Sequence, residues 1–423
     1  LEGVVFGLYA QEDIKNAAGE VVVEKDALIE LGTTDEEGKL VFQADLPHGK
    51  YYIQEVEHKP GYLPNDEVYS FDASYTDQTL ELLAFSEEIS NQPTITEFTK
   101  VDLTGGQEIE GAKMQILDQE GKVVEEWVSK KEAHVVYALA PGEYILHEEQ
   151  APTEQGYVRA EDVKFVVEET GDVQKVKMED DHTKVSISKT DITDGKEIEG
   201  AKLQILDQDG EVVESWTTGE EHLIEYLPVG TYTLHEEAAV DGYIVANDVE
   251  FTVEETGEIQ KVKMEDERAM GQLVIVKTDT DSKAALEGVE FVLLEKETGK
   301  EVGRLKTGKD GKAVSELLPI GTYENGVFKE PITYVLKESA TLKGYEKTEE
   351  EWEIVFTYQN DKTPVIEVVK EIQNKKIPET PGTVKPGPKT GDDTNWFLPL
   401  LALGVSAGMV AGLLYYRKRH KKA

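Results

Sequence analysis

The sequence has no cysteine. Disulfides, thiolate metal sites and cysteine nucleophiles are therefore excluded, and an exported chain of this kind must be stapled by something else. Basic charge is scarce: 44 Lys and Arg stand against 86 Asp and Glu, a net charge of −42. Nucleic acid is excluded as a partner, because there is no basic surplus to release phosphate counterions. Long apolar runs are also lacking, with one exception near the C-terminus, so a multi-span membrane protein is ruled out. No phosphate-cradling glycine loop is present, and no cofactor or metal is expected.

The exception runs from Trp396 to Tyr416, 21 residues without a charge, about 31 Å as a helix at ~1.5 Å per residue and enough to cross a bilayer. Arg417-Lys418-Arg419-His420-Lys421-Lys422 follows at once. Basic flanks stay cytoplasmic, which places the preceding chain outside. Upstream, Ile377 to Gly391 carries four prolines, reads as an extended linker and ends in Gly387-Pro388-Lys389-Thr390-Gly391. At the other end Leu1 is not Met and no signal segment precedes it, so the chain is expected to be a fragment of an exported protein.

What is present in quantity is repetition. Leu1-Glu2-Gly3-Val4, Ile109-Glu110-Gly111-Ala112, Ile198-Glu199-Gly200-Ala201 and Leu286-Glu287-Gly288-Val289 open four units. Each unit later shows an aromatic strand and then Gly-Tyr, at Gly61-Tyr62, Gly156-Tyr157, Gly242-Tyr243 and Gly344-Tyr345. The apolar period inside a unit is two, as in Tyr144–Glu148 and Val163–Val167, with turns such as Pro141-Gly142 between. The expected fold class is all-β: tandem Ig-like β-sandwiches with Greek-key connections, joined into a rod, plus one C-terminal transmembrane helix. The expected boundaries are 1–96, 97–184, 185–271 and 272–376 for the sandwiches. A proline-rich linker at 377–395, the span at 396–416 and a basic tail at 417–423 follow.

The four copies control for which polar residues persist. Lys100, Lys189 and Lys277 precede the opening dipeptide at fixed spacing, each two residues after an apolar position (Phe98, Ile187, Ile275). A glutamate follows each aromatic strand: Glu55, Glu148, Glu236 and Glu338, again two after Ile53, Leu146, Leu234 and Leu336. Near each unit's end stands Asn91, Asp180, Asp266 or Asn374. Period two then points lysine, glutamate and Asn/Asp into one core from three strands. A buried hydrogen-bonded ion triad is one reading. The other is chemistry: a buried amine becomes a neutral nucleophile, a buried glutamate holds a proton, and the product is a Lys–Asn or Lys–Asp isopeptide.

This pattern resembles the SpaA-like, or collagen-adhesin B-type, prealbumin-like pilin domain, over residues 1 to about 376. The resemblance implies autocatalytic cross-links Lys100–Asp180 promoted by Glu148, Lys189–Asp266 by Glu236 and Lys277–Asn374 by Glu338. Glu55 and Asn91 would form a further set whose partner lysine is expected before Leu1. Pro388-Lys389-Thr390-Gly391 with the span and basic tail resembles the Leu-Pro-x-Thr-Gly sorting signal of Gram-positive cell-wall proteins, with Gly387 in the usual leucine place. It implies sortase as a partner, cleavage after Thr390, and covalent linkage of Thr390 to peptidoglycan or a pilin. A membrane-spanning precursor would carry the chain through residues 396–416 before sorting. A permanent single-span anchor is the alternative on the same residues.

Other combinations are discounted. His147-Glu148-Glu149 and His235-Glu236-Glu237 lack a second histidine at helical spacing, and His147 faces away from Glu148 on a strand. Acidic runs such as Thr348–Glu351 lack a glycine-centred calcium loop. Trp127 and Trp216, at equivalent positions, read as core. The expected function is therefore not enzymatic. It is a cell-wall-anchored surface stalk or adhesin, stiffened by isopeptide bonds, with other pilins or a host matrix ligand as partners. A sortase-polymerised pilin, or the stalk of a surface enzyme lacking its catalytic domain, are the alternatives.

Overall fold

The computed structural model describes residues 1–74 and 83–378. The apolar run 396–416, the basic tail and the tetrapeptide Pro388–Gly391 lie outside the described residues. Residues Leu1–Lys375 form one compact body that holds the four repeat units. Its regular elements are strands; a single 3₁₀ turn, Thr153–Gln155, is the only helical element among the described residues.

Units two, three and four are each two four-stranded sheets around their own apolar core. In unit two the first sheet runs His134–Tyr137, Ile95–Asp102, Val173–His182, Tyr157–Val158. The second runs Val163–Val167, Gly142–Gln150, Lys113–Leu117, Val123–Val128. The lysine-bearing first strand and the last strand of the unit are parallel neighbours: Met178 lies opposite Lys100 and Asp180 opposite Asp102. Lys184–Asp191 with Ile259–Arg268, and Met270–Asp279 with Val365–Asn374, repeat this parallel pair. Parallel strands need a long crossover, and here nearly the whole unit is that crossover.

Alternation explains which side chains enter the core. Thr96, Phe98 and Lys100 are buried in turn along one face of their strand, as Val176, Met178 and Asp180 are along theirs. The glutamate comes from the opposite sheet, on Gly142–Gln150, Gly230–Ala238 and Thr333–Ala340. A tyrosine four residues earlier anchors that strand. The hydroxyls of Tyr51, Tyr144, Tyr232 and Tyr334 donate to the carbonyls of Pro47, Ala140, Pro228 and Pro319 at 2.7–2.9 Å.

Unit one shows the second sheet, in the order Leu28–Thr33, Val5–Ala10, Lys50–Glu57, Val68–Asp72, with a small hairpin of Ile14–Lys15 and Val21–Val23. Asn91 lies outside any strand.

Candidate functional site

The opening dipeptide holds the lysine strand in place. The Ile109 N–H donates to the Lys100 carbonyl at 2.7 Å, Ile198 to Lys189 at 2.8 Å and Leu286 to Lys277 at 3.0 Å. In units two and three the Glu108 and Glu197 carboxylates also accept the Lys100 and Lys189 backbone N–H at 3.1 Å. This return of the chain onto the lysine is the physical reason for the fixed spacing seen in the sequence.

Three polar side chains meet where the two sheets face each other. Lys100 Nζ lies against Asp180 Oδ1 and 2.8 Å from Glu148 Oε2, with all three side chains at most 4% exposed. Lys189 Nζ repeats the contact with Asp266 Oδ1 and sits 2.9 Å from Glu236 Oε2. Lys277 Nζ donates to Asn374 Oδ1 and lies 3.0 Å from Glu338 Oε2. The glutamates are themselves held: the Ala160 N–H donates to Glu148 Oε2 at 2.8 Å and the Ala246 N–H to Glu236 Oε2 at 2.6 Å.

Each glutamate is aimed by a β-bulge. Glu148 pairs with Met114 and Gln150 with Lys113, so Glu149 is the extra residue. Glu237 is extra after Glu236, Ser339 after Glu338 and Val56 after Glu55. A bulge re-aims its neighbours, and the extra residue is free to vary. That is why Glu149 becomes Val56 or Ser339 in other copies while the glutamate before it stays. Nothing in the sequence pattern marks the bulge, since Glu149 reads as one more strand residue.

Burial sets the protonation. It pushes the Asp180 carboxyl up to about 7, against the Lys100 charge and with help from the Glu148 carboxyl. Asp266 is pushed up to about 7 for the same reason, opposed by Lys189 and assisted by Glu236. Four buried oxygens of these carboxyls, Glu148 Oε1, Asp180 Oδ2, Glu236 Oε1 and Asp266 Oδ2, have no hydrogen-bond partner. In unit four burial lowers the pKa of the Lys277 ammonium, and the hydrogen bond and charge of Glu338 oppose it.

Unit one brings together Glu55 and Asn91. The Asn91 Nδ2 donates to Glu55 Oε2 at 2.7 Å and to the Leu63 carbonyl at 3.2 Å, with both side chains half-buried. His147 and His235 turn away from the triads and pair with Asp162 and Asp248, each at 2.7 Å. Trp127 and Trp216 pack against their cores and stack on His134 and His222, with ring centroids 4.2 and 4.5 Å apart.

A second set of residues escapes the sequence reading: the aspartate two positions after each lysine. Asp191 accepts the Tyr243 hydroxyl at 2.7 Å and Arg268 Nε at 2.6 Å, and Asp279 accepts the Tyr345 hydroxyl at 2.9 Å. Asp102 accepts a hydroxyl across a joint, from Tyr226 of unit three, at 2.8 Å. The recurrent Gly-Tyr is thus a joint element. The Gly61, Gly156 and Gly242 carbonyls accept the N–H of Thr94, Thr183 and Ala269 at 2.8–2.9 Å. Gly156 has φ +79°, and a Cβ there would lie 2.3 Å from the Tyr226 carbonyl oxygen. The signal was the repetition of Gly-Tyr, but the partner lies in the next unit, where period and spacing do not reach.

Comparison with known proteins agrees with this architecture. The SpaA prealbumin-like fold domain matches residues 1–85, 94–182, 183–268 and 271–331. No curated protein matches the chain at a significant level. Among solved structures, the Bacillus anthracis TIE protein is 24% identical, covering 88% of this chain and 69% of its own, with a TM-score of 0.47. BcpA, the major pilin subunit of Bacillus cereus, is 15% identical over 67% of this chain and 99% of its own, with a TM-score of 0.39. A streptococcal ancillary pilin is 16% identical over 68% and 99%, with a TM-score of 0.28. With repeated matches over most of its length, the chain belongs to the family of SpaA prealbumin-like fold domains.

Proposed function

We propose that this chain is a pilin-like surface stalk of a Gram-positive cell, whose sandwiches staple themselves with Lys–Asp and Lys–Asn isopeptide bonds. The observation that carries the reading is the lysine nitrogen held, in three units, between a glutamate and the carboxyl or carboxamide of the neighbouring parallel strand, out of water.

In units two and three the Lys Nζ gives its ammonium proton to the glutamate, and the neutral amine attacks Cγ of the protonated aspartate. The C–N bond forms, the glutamate passes its proton to the departing hydroxyl and takes the second proton from Nζ, and the C–O bond breaks. One water leaves, and an amide joins the first strand to the last. In unit four the same sequence expels Asn374 Nδ2 as ammonia. The reaction happens once per unit and turns over no substrate, so the glutamates are promoters of a maturation step.

The joined strands are parallel neighbours, so a pull along the chain enters and leaves a unit through adjacent strands and bypasses the core between the sheets. Such a bond also survives reduction, which fits a surface protein without cysteine. The Pro388-Lys389-Thr390-Gly391 tetrapeptide, the apolar run and the basic tail support covalent attachment through Thr390 by a sortase, to the wall or to another pilin.

Proteolysis of the purified chain followed by tandem mass spectrometry tests the stapling. Branched peptides joining the Lys100, Lys189 and Lys277 segments to those of Asp180, Asp266 and Asn374 are expected. Linear peptides alone, carrying free Lys100 and Asp180, would reject it.

A further inference from the structure

One unit sets a carboxamide against its lysine and two set carboxyls there, and the side chains around them differ in a matching way. A carboxamide brings two N–H donors that both need acceptors in a buried site. In unit four Asn374 Nδ2 donates to Glu338 Oε1 and to Thr341 Oγ1, each at 2.7 Å. In unit one Asn91 Nδ2 likewise has two acceptors, Glu55 and the Leu63 carbonyl. The aspartate units offer no such second acceptor. The residue three after the glutamate, Thr341 in unit four, is Ala151 in unit two and Ala239 in unit three, and Asp180 Oδ2 and Asp266 Oδ2 have no hydrogen-bond partner.

We propose that Thr341 is a positioning residue that fits unit four to asparagine chemistry; the inference rests on the isopeptide reading above. A buried carboxamide has two orientations. With oxygen and nitrogen exchanged, Nδ2 would face Lys277 Nζ, donor against donor, and the amine would meet no polarised carbonyl. Two acceptors on the far side, Glu338 Oε1 and Thr341 Oγ1, select the orientation in which Oδ1 receives the lysine. The same pair holds the nitrogen that must leave. Lys277 Nζ bonds to Asn374 Cγ, Glu338 moves a proton from Nζ to Nδ2, the Cγ–Nδ2 bond breaks, and ammonia departs. An aspartic acid needs no such help, because its two oxygens are equivalent once the proton exchanges with the glutamate.

The test follows bond formation in the full chain made by cell-free synthesis, quenched in denaturant at intervals and digested. The branched Lys277–Asn374 peptide is then quantified, with the Lys100–Asp180 peptide of the same molecules as internal reference. Thr341→Val should slow the unit-four bond about tenfold, the rate equivalent of one neutral hydrogen bond. Thr341→Ser should restore it. With Asn374→Asp in place, Thr341→Val should leave the rate unchanged. An undiminished rate for Thr341→Val beside Asn374 would overturn the proposal. So would equal slowing by Thr341→Val with and without Asn374→Asp, which is what a purely structural threonine predicts. If the bonds of units two and three are missing as well, the isopeptide reading itself fails, and the specificity of Thr341 fails with it.

Discussion

Replacing Glu148 by glutamine separates the chemistry of the site from its packing. The glutamine keeps the volume, and its oxygen can still accept from Lys100 Nζ and from the Ala160 N–H, the contacts that Glu148 Oε2 makes at 2.8 Å. What it loses is a carboxylate able to take the ammonium proton. Unit two should then fold without its bond and keep the water that the parent chain loses. Lys100 and Asp180 are 80 residues apart, so the missing link returns about 4.5 kcal/mol of entropy to the unfolded chain, by the relation calibrated on disulfides. At about 4–8 °C per kcal/mol for a domain of this size, unit two should melt about 18–36 °C lower. Hydrogen exchange read by mass spectrometry on heating resolves the effect to the strand Val173–His182. Unit four, whose own bond is untouched, serves as the reference. A Glu148→Gln chain that still shows the loss of that water, its mass differing from the parent only by the substitution, would refute the proton-transfer role. A chain that keeps the water but whose unit two melts with the parent would refute the structural purpose of the bond.

Other outcomes follow from the same geometry. Burial pushes the Asp180 and Asp266 carboxyls up to about 7; under the proposed mechanism the acid form is the one attacked, so their bonds should form more slowly as pH rises through that value. Unit four has no acid to lose at Asn374 and should keep its rate over the same range; timed quenching from about one pH unit below that value to two above checks both. Tyr226→Phe removes a hydroxyl donated to the Asp102 carboxylate at 2.8 Å, and should weaken the joint of units two and three by about 1.5–3 kcal/mol, the range for a hydrogen bond to a charged group. Faster exchange of the Thr183 and Tyr226 amides would report it. Gly156→Ala should loosen the same joint, since its Cβ would meet the Tyr226 carbonyl at 2.3 Å; protease cutting near Thr183 is the readout. Thr390→Ala should abolish release by a sortase and leave the full-length chain in the membrane fraction.

Much of the site was legible because a strand has only two faces. Phe98 and Lys100, or Leu146 and Glu148, had to share a side, and four copies separated the persistent glutamate from the variable residue after it. The all-β class followed from the same alternation. Other features were hidden for a physical reason. The parallel pairing of Ile95–Asp102 with Val173–His182 joins strands from opposite ends of a unit, and alternation alone does not say which strands are neighbours. The bulge at Glu149 leaves no mark in an apolar pattern. Asp102 finds Tyr226 across a joint, and the side-chain rule that pairs Asn374 with Thr341 appears only when hydrogen-bond donors are counted in place.

The most direct test of self-stapling is the intact mass of the purified chain under denaturing conditions. The account predicts a mass lower than that of the sequence by two waters and one ammonia, with Lys100→Ala, Lys189→Ala and Lys277→Ala each abolishing one of the losses. A mass equal to that of the sequence would contradict it, and would leave the three buried triads as ion pairs and hydrogen bonds alone.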